Sequence, residues 1–217
     1  MKLAKYLNTG WLAAAIIAGS VLPAAAWTTG SKYVTVPCTT SCGQQAYNNW
    51  CGVASTHAVL HKLGKNVSQS TLAAKYGVGK ADGSAVAIEH IPGVLNSYVS
   101  GFTYVHVKRT DVTSAGLMAS IAQYCADNGY LGIPCVNPYP YTNSEGKTSP
   151  GLPTYSGSQR GGHYVVLRGY NNTSSAQTVY YWDPHYDSSH YGYRSTSAST
   201  FWKCLYYKNW GSQGVVY

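Results

Sequence analysis

The chain has 217 residues, 45% of them hydrophobic and only 10% charged, with a formal net charge of +8. That composition is too apolar for a disordered polypeptide and the length suffices for one well-buried core, so a single domain is expected. The basic residues are scattered, without a run or stripe, which argues against a nucleic-acid interface.

In chain order, Lys2 and Lys5 precede an apolar run from Trp11 to Leu22, and Ala24, Ala25 and Ala26 put small residues ahead of Trp27. This reads as a secretory signal peptide over residues 1–26, because the run is short for a membrane anchor and is broken by Gly19 and Pro23. Residues 27–217 are then the mature domain, with 13 basic against 7 acidic side chains and a charge near +6. A secreted, extracellular protein is expected, without stable membrane insertion, its charge suited to anionic cell-wall polymers or membrane surfaces.

The first half reads as mainly helical. From Cys51 to Leu63 an apolar face formed by Val53, Ala54, Ala58, Val59 and Leu63 predicts a helix capped by Gly64, with Cys51 at its N-terminus. Ser68 or Ser70 caps a short helix through Tyr76, ended by Gly77; Ala85 to Tyr98 reads as helix interrupted at Pro92-Gly93. Phe102 to Val107 alternates like a strand, and Ser114 starts a helix through Ala126 that Asn128-Gly129 stops. In the second half Leu131 to Val136, His163 to Tyr170 and Thr178 to Trp182 read as strands, whereas Thr196 to Tyr207 is ambiguous. Between Asn137 and Gly162 lies a long Pro-, Gly-, Ser- and Tyr-rich segment without periodicity, expected to be a functional flap. Helices followed by antiparallel strands predict an α+β domain.

The chemical signal is the run Gln45-Ala46-Tyr47-Asn48-Asn49-Trp50-Cys51-Gly52. A thiol at a helix N-terminus meets the positive end of the peptide dipoles, which favours thiolate. Gly52 lets backbone and substrate approach closely, and Gln45 is near enough for its amide to donate to an oxyanion beside a backbone N–H. A base is supplied by His163, which follows Gly161-Gly162 and opens a strand. Asp183 ends the next strand, where antiparallel pairing sets its carboxylate against the far ring nitrogen of His163.

Gln45 with Cys51-Gly52 opening a helix, Gly162-His163-Tyr164-Val165-Val166 followed by Gly169-Tyr170, and Asp183-Pro184 together resemble the papain-like bacterial cysteine peptidases related to the domains that clip bacteriocin leaders at double-glycine sites. The resemblance spans roughly residues 40 to 205. It implies a papain-like fold, with Gln45 as oxyanion donor, Cys51 as nucleophile, His163 as general base and acid, and Asp183 as the orienting residue. The chain departs from the transporter-linked members in its export signal and in having no transmembrane segment after it, so double-glycine specificity is not implied. Only 18 residues, 27–44, lie between the leader and Gln45, too few for a bulky inhibitory prosegment.

Other readings of the same residues are open. Cys51 could be a structural disulfide partner among Cys38, Cys42, Cys125, Cys135 and Cys204; bridges Cys38–Cys42, and Cys125 to Cys135 or Cys204, are plausible. His163 could be an ordinary strand histidine, Asp183 a turn residue before Pro184, and Gln44 a substitute for Gln45. His57 and His61 share a helix face at zinc-binding spacing, but Ala58 stands where a metalloprotease helix carries its Glu, so both are expected as partly exposed helix residues. His185, Asp187 and His190 read as a polar loop. No metal or cofactor is expected. The leading expectation is a monomeric, secreted cysteine peptidase acting on a peptide or protein substrate, cell-wall peptide included. Acyl transfer by the same residues, or a non-catalytic disulfide-stabilised binding or toxin module, are the alternatives.

Overall fold

The computed structural model describes residues 29–37, 43–143, 146–157, 161–205 and 213–217. The leader and the Cys38–Cys42 pair lie outside these residues. Helix α1 (Cys51–Lys62) forms as expected, but every residue from Cys51 to Leu60 is buried, so it is a central helix and not a surface one with a single apolar face. Helix α2 (Gln69–Tyr76) is capped by Ser68, whose hydroxyl accepts from Thr71 N–H, and it ends at Gly77 in the left-handed conformation, φ 67°. Helix α3 (Ile91–Asn96) carries Pro92 in its first turn, preceded by a 3₁₀ turn (Ile88–His90). The expected interruption at Pro92-Gly93 is therefore a helix start, where the missing N–H has no intrahelical role. Helix α4 (Ala115–Asp127) is capped by Ser114, as its sequence predicts.

The strands make an α+β architecture. One antiparallel sheet has the order β1-β7-β8-β9, formed by β1 (Ser31–Tyr33), β7 (Val166–Asn171), β8 (Thr178–Asp183) and β9 (Gly192–Ser197). A second has the order β2-β10-β3-β6, formed by β2 (His106–Lys108), β10 (Gly214–Val216), β3 (Ile133–Val136) and β6 (His163–Tyr164). The two are linked because only Val165 separates β6 from β7, and a bridge joins Gly132 to Leu167. The ambiguous Thr196–Tyr207 region resolves into the end of β9 and helix α5 (Ala198–Cys204), with Tyr206 and Tyr207 outside the described residues.

The strand expected from Phe102 is shorter, because the Asn96 amide bonds both the N–H and the carbonyl of Tyr104, at 2.8 and 2.9 Å, and only His106–Lys108 enters the sheet. The tyrosine excess has a structural use on the outer face of the first sheet. There Arg168 of β7 lies between the rings of Tyr33 on β1 and Tyr193 on β9, 4.5 and 4.3 Å from their centroids. No described helix is long and apolar enough to cross a membrane.

The 137–162 segment is not a detached flap. It contains the hairpin β4 (Tyr141–Thr142) and β5 (Thr148–Ser149), and it buries Ser149, Leu152 and Tyr155. Its backbone is tied to α5 by Asn137 N–H donating to the Cys204 carbonyl at 2.6 Å.

Candidate active site

Cys51 opens α1 beneath β6. Gly52 sits under the Tyr164 ring: a Cβ there would lie 2.9 Å from Val86 Cβ and 3.1 Å from the ring. The close approach that Gly52 permits is therefore to β6. Tyr164 has little room to yield, because its hydroxyl donates to the Val86 carbonyl at 2.8 Å. Gly52→Ala is expected to cost about 1–3 kcal/mol through overpacking and to depress any activity of the neighbouring cysteine; chemical denaturation beside a rate assay checks this.

His163 starts β6, opposite Val136 of β3, and Asp183 ends β8. Continuing the Val166–Trp182 register by one step puts Asp183 opposite Val165, which makes His163 and Asp183 diagonal neighbours. The result is a 2.8 Å contact between His163 Nε2 and Asp183 Oδ1. With Nε2 committed to Asp183, Nδ1 is the nitrogen left for the Cys51 sulfur, to which His163 is hydrogen-bonded. Cys51 is 9% exposed, His163 6% and Asp183 0%, so their charges act on one another in a nearly water-free setting.

Burial alone would raise the Cys51 thiol pKa. The hydrogen bond and charge of His163, with backbone N–H groups of Tyr164 and Gly52, outweigh it and leave the pKa lowered. For His163 burial works downward, but Asp183 and then Cys51 outweigh it and raise the imidazole to about 10. Asp183 is likewise pushed up by burial, and is held below the usual carboxylate range by His163, the His185 N–H and the Tyr155 hydroxyl. The three groups can thus coexist as thiolate, imidazolium and carboxylate.

Cys51, Cys125, Cys135 and Cys204 are each buried free thiols, so the expected bridge from Cys125 to Cys135 or Cys204 does not form. Cys125, Cys135 and Cys204 sit on separate elements, α4, β3 and α5, each packed into the core, where burial raises the thiol pKa. Cys51 alone of the four is lowered.

Gln45 is buried in the loop before α1. Its Nε2 donates to the carbonyls of Tyr47 and Asn48, both at 3.0 Å, while Oε1 has no hydrogen-bond partner. The loop is clamped from two sides. Gln45 N–H donates to the Pro184 carbonyl at 2.7 Å; Gln69 of α2 accepts from Ala46 N–H and donates to the Gln44 carbonyl, at 3.1 and 2.8 Å.

Two features escaped the sequence reading. Gln69 is one, since its only signal is a polar residue at the start of a helix. The other is an aromatic and imidazole group against Asp183. Tyr155 donates to Asp183 Oδ2 at 2.9 Å and stacks on His190 with ring centroids 4.0 Å apart, while His185 packs edge-on to His163. The residues expected as a polar loop thus back the His163–Asp183 pair. His57, expected to be partly exposed, is buried, and its Nδ1 lies 2.6 Å from the Val67 carbonyl. Among the described residues no group of three or more potential ligands is placed to hold a metal ion.

A family model described as the Peptidase_C39 like family matches residues 35–215, which includes every element from α1 through α5 and the first two residues of β10. A search of curated proteins finds no match.

Proposed function

The chain belongs to the peptidase C39-like family, a family of papain-like cysteine peptidases, and from that premise we propose that it is a secreted peptidase working through Cys51, His163 and Asp183. The observation that carries this reading is the buried 2.8 Å contact of His163 with Asp183, together with a Cys51 thiol that His163 holds below its ordinary pKa against burial.

In this mechanism the Cys51 thiolate attacks the scissile carbonyl carbon and forms a tetrahedral oxyanion. The Cys51 backbone N–H at the start of α1 donates to that oxygen. Gln45 donates with it once Nε2 releases one of the two carbonyls it holds, Tyr47 or Asn48. Protonated His163 passes its proton to the leaving amine, so the C–N bond breaks and an acyl thioester remains on Cys51. Neutral His163 then takes a proton from water as the water oxygen attacks the thioester, and the carboxylic acid leaves with the thiolate restored. Asp183 keeps the imidazole oriented and supports its positive charge. The leader at residues 1–26 sends the enzyme out of the cell, where peptides, including those of the cell wall, are its substrates.

The test is alkylation of the native protein with iodoacetamide near pH 6, followed by peptide mapping and a peptide-hydrolysis assay. Cys51 is expected to react at least about tenfold faster than Cys125, Cys135 or Cys204, with hydrolysis lost in step. Hydrolysis that survives complete alkylation of Cys51 overturns the reading.

A further inference from the structure

Asp183 is fully buried, and its carboxylate is held at both oxygens. Oδ1 accepts from His163 Nε2 at 2.8 Å and from the His185 N–H at 2.9 Å; Oδ2 accepts from the Tyr155 hydroxyl at 2.9 Å. Among the described residues the phenol is the one side-chain donor to Asp183 besides His163, and it comes from neither β6 nor β8. It arrives on the 137–162 segment, 28 positions upstream of Asp183.

Resting on the peptidase reading, we propose that Tyr155 is a positioning residue for the reaction: by holding Asp183 Oδ2 it fixes the carboxylate plane so that Oδ1 stays aimed at His163 Nε2. A buried carboxylate bonded at only one oxygen is free to turn about its last torsion, and an imidazole that depends on it loses its alignment.

The surroundings of Tyr155 suit this role. Its ring lies flat on His190, at an interplanar angle of 8°, and meets Tyr139 edge-on at 5.1 Å. Its backbone N–H donates to the Leu152 carbonyl at 2.9 Å. The hydroxyl is therefore delivered by a fixed ring, and 94% of the residue is shielded from water, because only 6% is exposed.

Burial, with the negative charge of Asp183, raises the phenol pKa well above its ordinary value, so Tyr155 remains a donor. The titratable groups facing Asp183 are His163 on β6, Cys51 on α1, Tyr155, Tyr181 on its own strand, and His185 and His190 beyond it. Burial, then the charge of His163, lowers His185 to about 4, and its Nδ1 accepts from the Asp187 N–H at 3.0 Å. A neutral His185 leaves the carboxylate to its pairing with His163.

Tyr155→Phe keeps the ring and its stack and removes only the donor. Losing one hydrogen bond to a buried charge is expected to lower kcat roughly tenfold, with KM within about twofold. Since Tyr155 is one of the groups that hold Asp183 in its ionised form, its removal raises the carboxylate's pKa. The acid limb of the iodoacetamide rate at Cys51 should therefore move to higher pH, and the thermal midpoint verifies folding.

In an Asp183→Asn background the same substitution should produce no further loss, because Tyr155 acts through Asp183. Superimposable pH profiles for wild type and Tyr155→Phe, or full additivity with Asp183→Asn, overturn the assignment while leaving the peptidase reading standing. A wild-type Cys51 that alkylates no faster than Cys204 overturns the peptidase reading and the positioning role together.

Discussion

Replacing Cys51 with Ser is expected to reduce peptide hydrolysis by on the order of 10⁴-fold or more, with the fold retained. The hydroxyl has nearly the same shape as the thiol, but no arrangement of the surrounding groups ionises it near neutrality. The interactions now given to a thiolate by His163 and by the N–H groups of Tyr164 and Gly52 would meet a neutral oxygen. The loss therefore falls on attack, and KM changes little. Because Cys51 helps to keep His163 protonated, the variant's imidazole should also titrate at lower pH than in the wild type. Steady-state kinetics, with the His163 ring proton followed by NMR across the pH range, measure both effects. Hydrolysis within tenfold of wild type would remove Cys51 from the mechanism.

Asp183→Asn should cost roughly 10²- to 10⁴-fold in kcat/KM, and its pH dependence tells how. The amide has the same outline: its oxygen can accept from His163 Nε2 and the His185 N–H, while its NH2 group donates to the Tyr155 hydroxyl, which turns from donor to acceptor. What disappears is the negative charge, the largest influence raising His163 against burial. In the wild type His163 is raised to about 10, so its contribution to stability is complete below the ordinary histidine pKa and is lost as pH rises through about 10. In the variant that loss moves to lower pH, and the alkaline limb of activity moves with it.

The carboxylate contributes in the opposite sense. Its folded-state pKa is lowered, so its stabilisation is present above the unfolded-state value and fades as pH falls through the folded one. Wild type and Asp183→Asn should accordingly differ most in urea midpoint at neutral pH and converge in acid. An alkaline limb that stays in place would mean that Asp183 does not set the charge of His163.

Local signals were legible where they act locally. Ser68 and Ser114 cap the helices they were expected to cap, Gly77 ends α2 with a positive φ, and Cys51 opens α1. The approach of Asp183 to His163 was readable in part: the β7–β8 register carries Asp183 toward Val165, but His163 does not share a strand with Tyr170 as expected and lies on β6, in the other sheet. The elements left unread depend on distant partners. Strand β1 has three exposed residues and exists because Ser31 pairs with Asn171; β10 exists because Val215 pairs with both Val107 and Pro134. Strand β9, Gly-Tyr-Arg-Ser-Thr-Ser, is an edge strand with no buried alternation to betray it. Tyr155 sits in a segment without periodicity, so nothing nearby points to its carboxylate partner. The expected bridge from Cys125 to Cys135 or Cys204 failed for a different reason: an even count of cysteines says nothing about which of them the core keeps apart.

Strand β10 is the last strand along the chain and lies in the interior of its sheet, between β2 and β3, with β6 and His163 next in order. A nascent polypeptide still emerging from the ribosome lacks the piece that joins β2 to β3, so the strand bearing the imidazole has an incomplete support until translation has passed residue 216. Assembly governed by so late a contact is slow to start and hard to achieve prematurely. The sheet that carries the imidazole is therefore completed only at the end of synthesis, after each of its other strands has been made.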